Sequence, residues 1–135
     1  MTTARWSFEA TRQAPGKGRQ AVREFAMPAQ PTGHALGSIA VCVSEAMTNV
    51  VMHAYRDMDS PGQIDVEAEL DGDSLTVRIS DQGHGLEPRL DSPGLGLGLP
   101  LISQFAGSSD IASPERGGTE IIMRFDLRER GEAGP

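Results

Sequence analysis

Glu45, Asn49 and His53 stand at four-residue steps in the stretch VSEAMTNVVMHAY, residues 43–55. Four residues is close to one helical turn of about 3.6, so on a helix the three side chains form a row. An Asn offers a neutral oxygen that Mg²⁺ accepts without full dehydration. A Glu one turn earlier can orient or deprotonate a hydroxyl beside such a metal. A helical wheel sets this row roughly opposite the apolar stripe of Leu36, Ile39, Val43, Met47, Val50 and Ala54, where an ordinary helix meets water. Val41, Cys42 and Met52 share the polar side, which is poor chemistry for open solvent. A cleft wall fits the mixture better. His53 is assigned a structural role.

A second group lies in SDQGHGLEPRLDSPGLGLGLPLI, residues 80–102. Asp81 follows an alternating run, and Gly83 and Gly85 let the backbone approach a ligand closely. An Asp at a strand end can accept a hydrogen bond from an exocyclic amine such as that of adenine. Gly94, Gly96 and Gly98 alternate with leucines and run into a helical segment, an arrangement of backbone amides suited to phosphates. Taken alone, D-x-G-x-G also fits a turn and GLGLGL a flexible loop. No G-K-S/T follows, and no strand-then-GxGxxG with a later acid makes a dinucleotide site. Arg89 is the sole Arg or Lys between 81 and 102, the one cation there for a terminal phosphate.

These residues need elements to hold them. Residues 5–10 alternate as an edge strand, and GKGRQAVREFAMPA has helical spacing up to Pro28. The long helix spans about 34–55. QIDVEAEL and SLTVRIS follow as a hairpin around Asp71, Gly72 and Asp73. A short helix, PLISQFAG, leads to a last hairpin of Ser109–Ser113 and Thr119–Leu127. This order predicts an α/β fold, a two-layer sandwich with a mixed, mostly antiparallel sheet and helices on one face. A single domain is expected over 1–127, with 128–135 as a polar, disordered tail.

Composition narrows the classes. The chain has 135 residues and 38% hydrophobic content, enough for one core. A net charge of −7, with Lys17 the only lysine, argues against direct nucleic-acid binding. No apolar run is expected to reach a membrane span, and no signal-peptide core opens the chain. Cys42 is the single cysteine, so no intrachain disulfide forms; a packed thiol and a cytoplasmic location are expected.

In order, the E-x-x-x-N helix, D-x-G-x-G, G-x-G-x-G and the Gly118-Thr119 pair before the last strand resemble the motifs of the Bergerat-fold ATPases. That group includes gyrase, heat-shock chaperone, mismatch-repair and histidine-kinase ATP domains. EAMTNVVMHAY, DQGHGL and GLGLPLI resemble more closely the anti-sigma-factor serine/threonine kinases. The resemblance implies that Asn49 ligates Mg²⁺ on the phosphates of ATP and that Glu45 is the catalytic base. It implies that Asp81 reads the adenine amine with Thr119 supporting it through water. Gly83, Gly85, Gly94, Gly96 and Gly98 would line the nucleotide pocket, with Arg89 on its lid. The implied partners are a sigma factor and an anti-sigma antagonist protein, held by a homodimer.

Two departures from the sporulation-type kinases stand out. Gly94 occupies the place of an Arg just before the last two lid glycines, and LEPRLDSP is short. Phosphoryl transfer rests on positioning and charge neutralisation, so a missing cation slows transfer while sparing binding. Two readings therefore compete: a kinase that sequesters a sigma factor, favoured by Glu45, and a nucleotide-binding anti-sigma module with little or no kinase activity, favoured by Gly94 and the short lid. A detached histidine-kinase ATP domain ranks third, since His34 sits in a Gly-flanked linker.

Overall fold

A computed structural model of the protein describes residues 1–54, 62–82, 102–112 and 118–131. Side-chain alternation with a period of two builds its sheet. In β1 (Thr2–Glu9), Ala4, Trp6 and Phe8 turn inward, and in β2 (Gln63–Asp71) Ile64, Val66 and Ala68 are buried. β3 (Ser74–Asp81) buries Leu75, Val77, Ile79 and Asp81. β4 (Ser108–Ala112) is a short edge strand, and β5 (Thr119–Asp126) buries Thr119, Ile121, Met123 and Phe125. The strand order is β1-β2-β3-β5-β4, and all four pairings are antiparallel.

The β2–β3 hairpin closes through a two-residue loop, because Asp71 pairs with Ser74. Gly72 has φ +60° at the first loop position, the place a type II′ turn gives to glycine. On the open face of the sheet, charges pair across strands. Arg5 Nε lies 2.7 Å from Glu67 Oε2, and Arg78 Nη1 lies 3.0 Å from Glu67 Oε1. These half-exposed pairs keep that face polar, so the single core lies on the other side, under the helices.

α1 (Ala14–Ala26) buries Ala14, Gly18, Val22 and Ala26 at four-residue steps. Its Phe25 meets Trp6 of β1 edge to face, with ring centroids 5.9 Å apart. A short 3₁₀ turn, Met27–Ala29, leads to α2 (Gly33–Asn49). Thr32 caps α2: its Oγ1 accepts the Ala35 N–H at 3.0 Å. The Thr32 N–H donates to the Leu127 carbonyl at 2.9 Å, and its hydroxyl donates to the carbonyl of Glu129. Arg128 donates to the carbonyls of Ala29 and Gln30. The start of α2 is thereby tied to the end of β5, on which the helix packs.

That anchor decides where the other end of α2 goes. A 17-residue helix is about 25 Å long, close to the roughly 26 Å of an eight-residue strand. Running back along β5, α2 brings Asn49 toward the end of the sheet where β5 begins and β3 stops.

Two expectations need correction. The helical stretch Gly33–His53, 21 residues, is apolar and long enough to cross a membrane by length and composition, contrary to the expected absence of such a run. Half of it is buried inside the fold, and it serves as the central core helix. Leu36, expected in the core stripe, is only partly buried, because it faces a groove shared with Arg19, Gln20 and Arg23 of α1.

Candidate functional site

Cys42, Glu45 and Asn49 are spaced i, i+3, i+7 and share one flank of α2. They do not lie opposite the core stripe, as the wheel suggested, but beside it. Cys42 is fully buried, Asn49 is 5% exposed and Glu45 is half-buried. Part of the cause is non-local: Ile102, in the helical turn of residues 102–105, meets this flank at Cys42. Ile102 is buried, and its carbonyl accepts a long contact from Cys42 Sγ at 3.9 Å. Burial first, and the nearby Glu45 charge second, push the Cys42 thiol up to about 12. The thiol is therefore inert packing rather than a nucleophile.

Beyond Asn49 the helix changes character. Val50–Ala54 form a π turn, so His53 leaves the α-helical row expected from the spacing. Met52, expected to border the row, is 61% exposed.

Asn49 carries the telling feature. Its Nδ2 is buried with no hydrogen-bond partner among the described residues. Leaving a buried donor unmade costs about 1–3 kcal/mol. Half a turn of the side chain exchanges its oxygen and nitrogen, so the same spot can offer Oδ1 to a cation. No cluster of three His, Cys, Asp or Glu side chains among the described residues could hold a metal. A metal taken by Asn49 would draw its other ligands from phosphate oxygens and water, as Mg²⁺ commonly does. The residues present fit that group.

Asp81 and Thr119 form the other half. Asp81 ends β3 and Thr119 begins β5; they are register partners, and Asp81 pairs on its other side with Ile64 of β2. Both are buried, on the helix side of the sheet. Gly118, just before Thr119, has φ +82°. A Cβ there would collide with the Asp81 carbonyl, with the carbonyl carbon 2.8 Å and Gln82 Cα 3.0 Å away. Glycine at 118 is thus what allows the two strand ends to close. A carboxylate and a hydroxyl side by side in a dry site can read a donor such as an exocyclic amine.

The described structure brings Asn49, Asp81 and Thr119 to buried positions and keeps Glu45 half-open. Gly83, Gly85, Arg89, Gly94, Gly96 and Gly98 lie outside the described residues. Sequence reasoning missed the π turn, the contact of Ile102 with Cys42 and the Gly118 contact. Only the last had a visible signal, the Gly-Thr pair at the head of a strand.

An antiparallel sheet with helices on one face and a buried acid at the end of an inner strand is a two-layer α/β sandwich with a polar spot inside it. The family model for the histidine kinase-like ATPase domain matches residues 8–125, and the chain belongs to that family. An anti-sigma F factor of Clostridium perfringens is 29% identical over 133 residues, covering 89% of this chain and 93% of that protein. An anti-sigma F factor of Clostridium beijerinckii is 29% identical over 117 residues, covering 78% and 81%. Among solved structures, the RsbU and RsbW domains of a Mycobacterium tuberculosis protein match with TM-score 0.74 and 22% identity, over 100% of this chain and 35% of that one. The histidine kinase domain of a blue-light activated kinase from Erythrobacter litoralis matches with TM-score 0.57 and 22% identity, over 84% and 59%. These structures bear on the fold alone.

Proposed function

We propose that the protein is an ATP- and Mg²⁺-dependent anti-sigma factor of the cytoplasm that phosphorylates an antagonist protein on serine or threonine. The observation that carries this reading is the buried Nδ2 of Asn49, without a partner among the described residues, one turn beyond Glu45 on α2. In this reading Asn49 holds Mg²⁺ on the phosphates, Asp81 with Thr119 reads adenine, and Glu45 orients the attacking hydroxyl of the antagonist. Gly83, Gly85, Gly94, Gly96 and Gly98 form the phosphate and adenine cradle, and Arg89 faces the terminal phosphate. Bound Mg²⁺ supplies neutralisation of phosphate charge. The chain's own contribution is to hold donor and acceptor in line and to exclude water.

The names of the curated relatives support the anti-sigma part. A sigma factor and an antagonist are accordingly the partners proposed, with a homodimer as the assembly. Gly94 favours a second reading, a nucleotide-binding anti-sigma module without phosphotransfer. Incubation with labelled ATP, Mg²⁺ and candidate antagonists from the same genome separates the two: label transfer to an antagonist supports the kinase, and nucleotide-dependent capture without label supports the module. Absence of any adenine-nucleotide binding by calorimetry would end both.

A further inference from the structure

We propose that the free edge of β1 pairs antiparallel with β1 of a second copy of this chain, joining the two sheets into one. β1 stands at a margin of the sheet and is bonded only to β2. Native edge strands are commonly guarded by shortness, a proline, a bulge or an inward-pointing charge. β1 has none of these: its eight residues pair with β2 without interruption, no proline occurs among them, and Ala4, Trp6 and Phe8 point inward. The ladder shows which backbone groups are open. Just past the strand, the Ala10 N–H donates to the Gly62 carbonyl at 2.8 Å. A residue in an antiparallel ladder turns its N–H and C=O to the same side, and alternate residues turn to opposite sides. Ala4, Trp6 and Phe8 therefore bond β2, while Thr3, Arg5, Ser7 and Glu9 turn theirs outward. Among the described residues nothing bonds the outward groups of Thr3, Arg5 and Ser7, and the Glu9 carbonyl meets only the Thr11 N–H.

Side chains select the occupant and the register. Two copies paired about a two-fold axis at Ser7 set Arg5 of each opposite Glu9 of the other, on the open face of the sheet. The Arg5 side chain is 79% exposed and hydrogen-bonds Glu67 through Nε, which leaves its Nη groups for a second carboxylate. Glu9 is exposed and has no ion pair among the described residues. On the other face Trp6 comes opposite Phe8 of the second copy. Both rings are half-buried, packed on the core from one side. An axis at Arg5 would set two guanidinium groups against each other, and an axis at Trp6 pairs no opposite charges. The strand is thus complementary to itself in charge and in aromatic surface about Ser7.

This inference deepens the homodimer of the reading above, and its test keeps the interface apart from the nucleotide site. Sedimentation equilibrium on the full chain compares the wild type with Arg5→Glu and Glu9→Arg. Each variant alone sets like charges opposite one another across the axis. Each is expected to self-associate about tenfold or more weakly than the wild type. An equimolar mixture of the two is expected to recover association, because every Arg then meets a Glu. A monomeric wild type, variants that associate as it does, or a mixture that does not recover overturns the inference. Hydrogen exchange on the wild type needs no substitution and decides if a variant fails to fold. Protection of the Arg5, Ser7 and Glu9 amides that rises with protein concentration supports the pairing, and exchange independent of concentration overturns it. Calorimetry with ADP on the same samples separates the two readings. A chain that dimerises through β1 without binding ADP supports the interface and ends the nucleotide reading; one that binds ADP as a monomer does the reverse.

Discussion

Asp81 and Thr119 are cross-strand partners at the buried end of the sheet, 2% and 1% exposed, with Gly118 pressed against the Asp81 carbonyl. The pairing puts an acceptor that carries charge beside a hydroxyl that can both give and accept. A lone polar group is costly in so dry a place, and the two together can read a polar ligand edge. Asp81→Asn removes a charge-assisted acceptor and puts a donor in its place. Nucleotide affinity is expected to fall by roughly 1.5–3 kcal/mol, or about 10- to 150-fold, by calorimetry. Equal affinity in variant and wild type would remove Asp81 from the site.

Gly118→Ala tests the backbone side of the same relationship. The residue has φ +82°, and its new methyl would strike backbone rather than a movable side chain. The left-handed conformation alone costs an alanine about 1–2 kcal/mol, and the collision adds to it. A loss of at least several degrees in melting temperature is expected. A variant that melts with the wild type would mean that β3 and β5 end differently from this arrangement.

How much of this was legible beforehand depends on whether the determinant was local. The strands followed from alternation, with ends shifted by a few residues: β1 runs Thr2–Glu9 rather than 5–10. Residue types picked out Glu45 and Asn49, but a helical wheel knows only one partner for a helix. It set the row opposite the core because the contact of Ile102 with Cys42 comes from sixty residues away. The Asp81–Thr119 pairing was implied only by the resemblance, for the same reason. Asp81 at a strand end and the Gly-Thr pair were visible, yet their adjacency needs β5 to sit between β3 and β4. The π turn left no trace, since neither glycine nor proline marks it.

Separating chemistry from binding is the purpose of a pair of variants on α2. Glu45 is half-buried and Asn49 nearly inaccessible, so they need not serve the same step. Glu45→Ala is expected to keep nucleotide affinity within a few fold and to cut phosphorylation by about 10²- to 10⁴-fold. Asn49→Ala should lose both the Mg²⁺-dependent affinity and the transfer. Matching losses of ATP binding in the two variants would contradict this division.

Arg89 bears on the partner. It is the sole cation between Asp81 and Ile102, and an attacking hydroxyl must come within reach of both Glu45 and the terminal phosphate. Arg89→Ala is expected to weaken antagonist capture or phosphorylation more than ADP binding, because ADP lacks that phosphate. Pull-downs and kinase assays check it; unchanged capture and turnover would move the partner elsewhere on the fold.

Cys42 gives a test of the packing that holds the row. Its thiol is fully buried against the Ile102 carbonyl and is pushed from 9.0 up to about 12, first by burial and then by Glu45. Because the native value lies above the unfolded one, the native thiol stays protonated where the unfolded thiol has ionised. The stabilisation is fully present below pH 9 and is lost as pH rises toward 12, by up to about 1.4 kcal/mol per pH unit. Urea unfolding from pH 8 to 11 should therefore show a steeper alkaline decline in the wild type than in Cys42→Ala, since every other group titrates in both. The native thiol should also resist a disulfide reagent at pH 8 and react once denatured. Parallel stability curves, or fast native labelling, would mean that Ile102 does not close over Cys42.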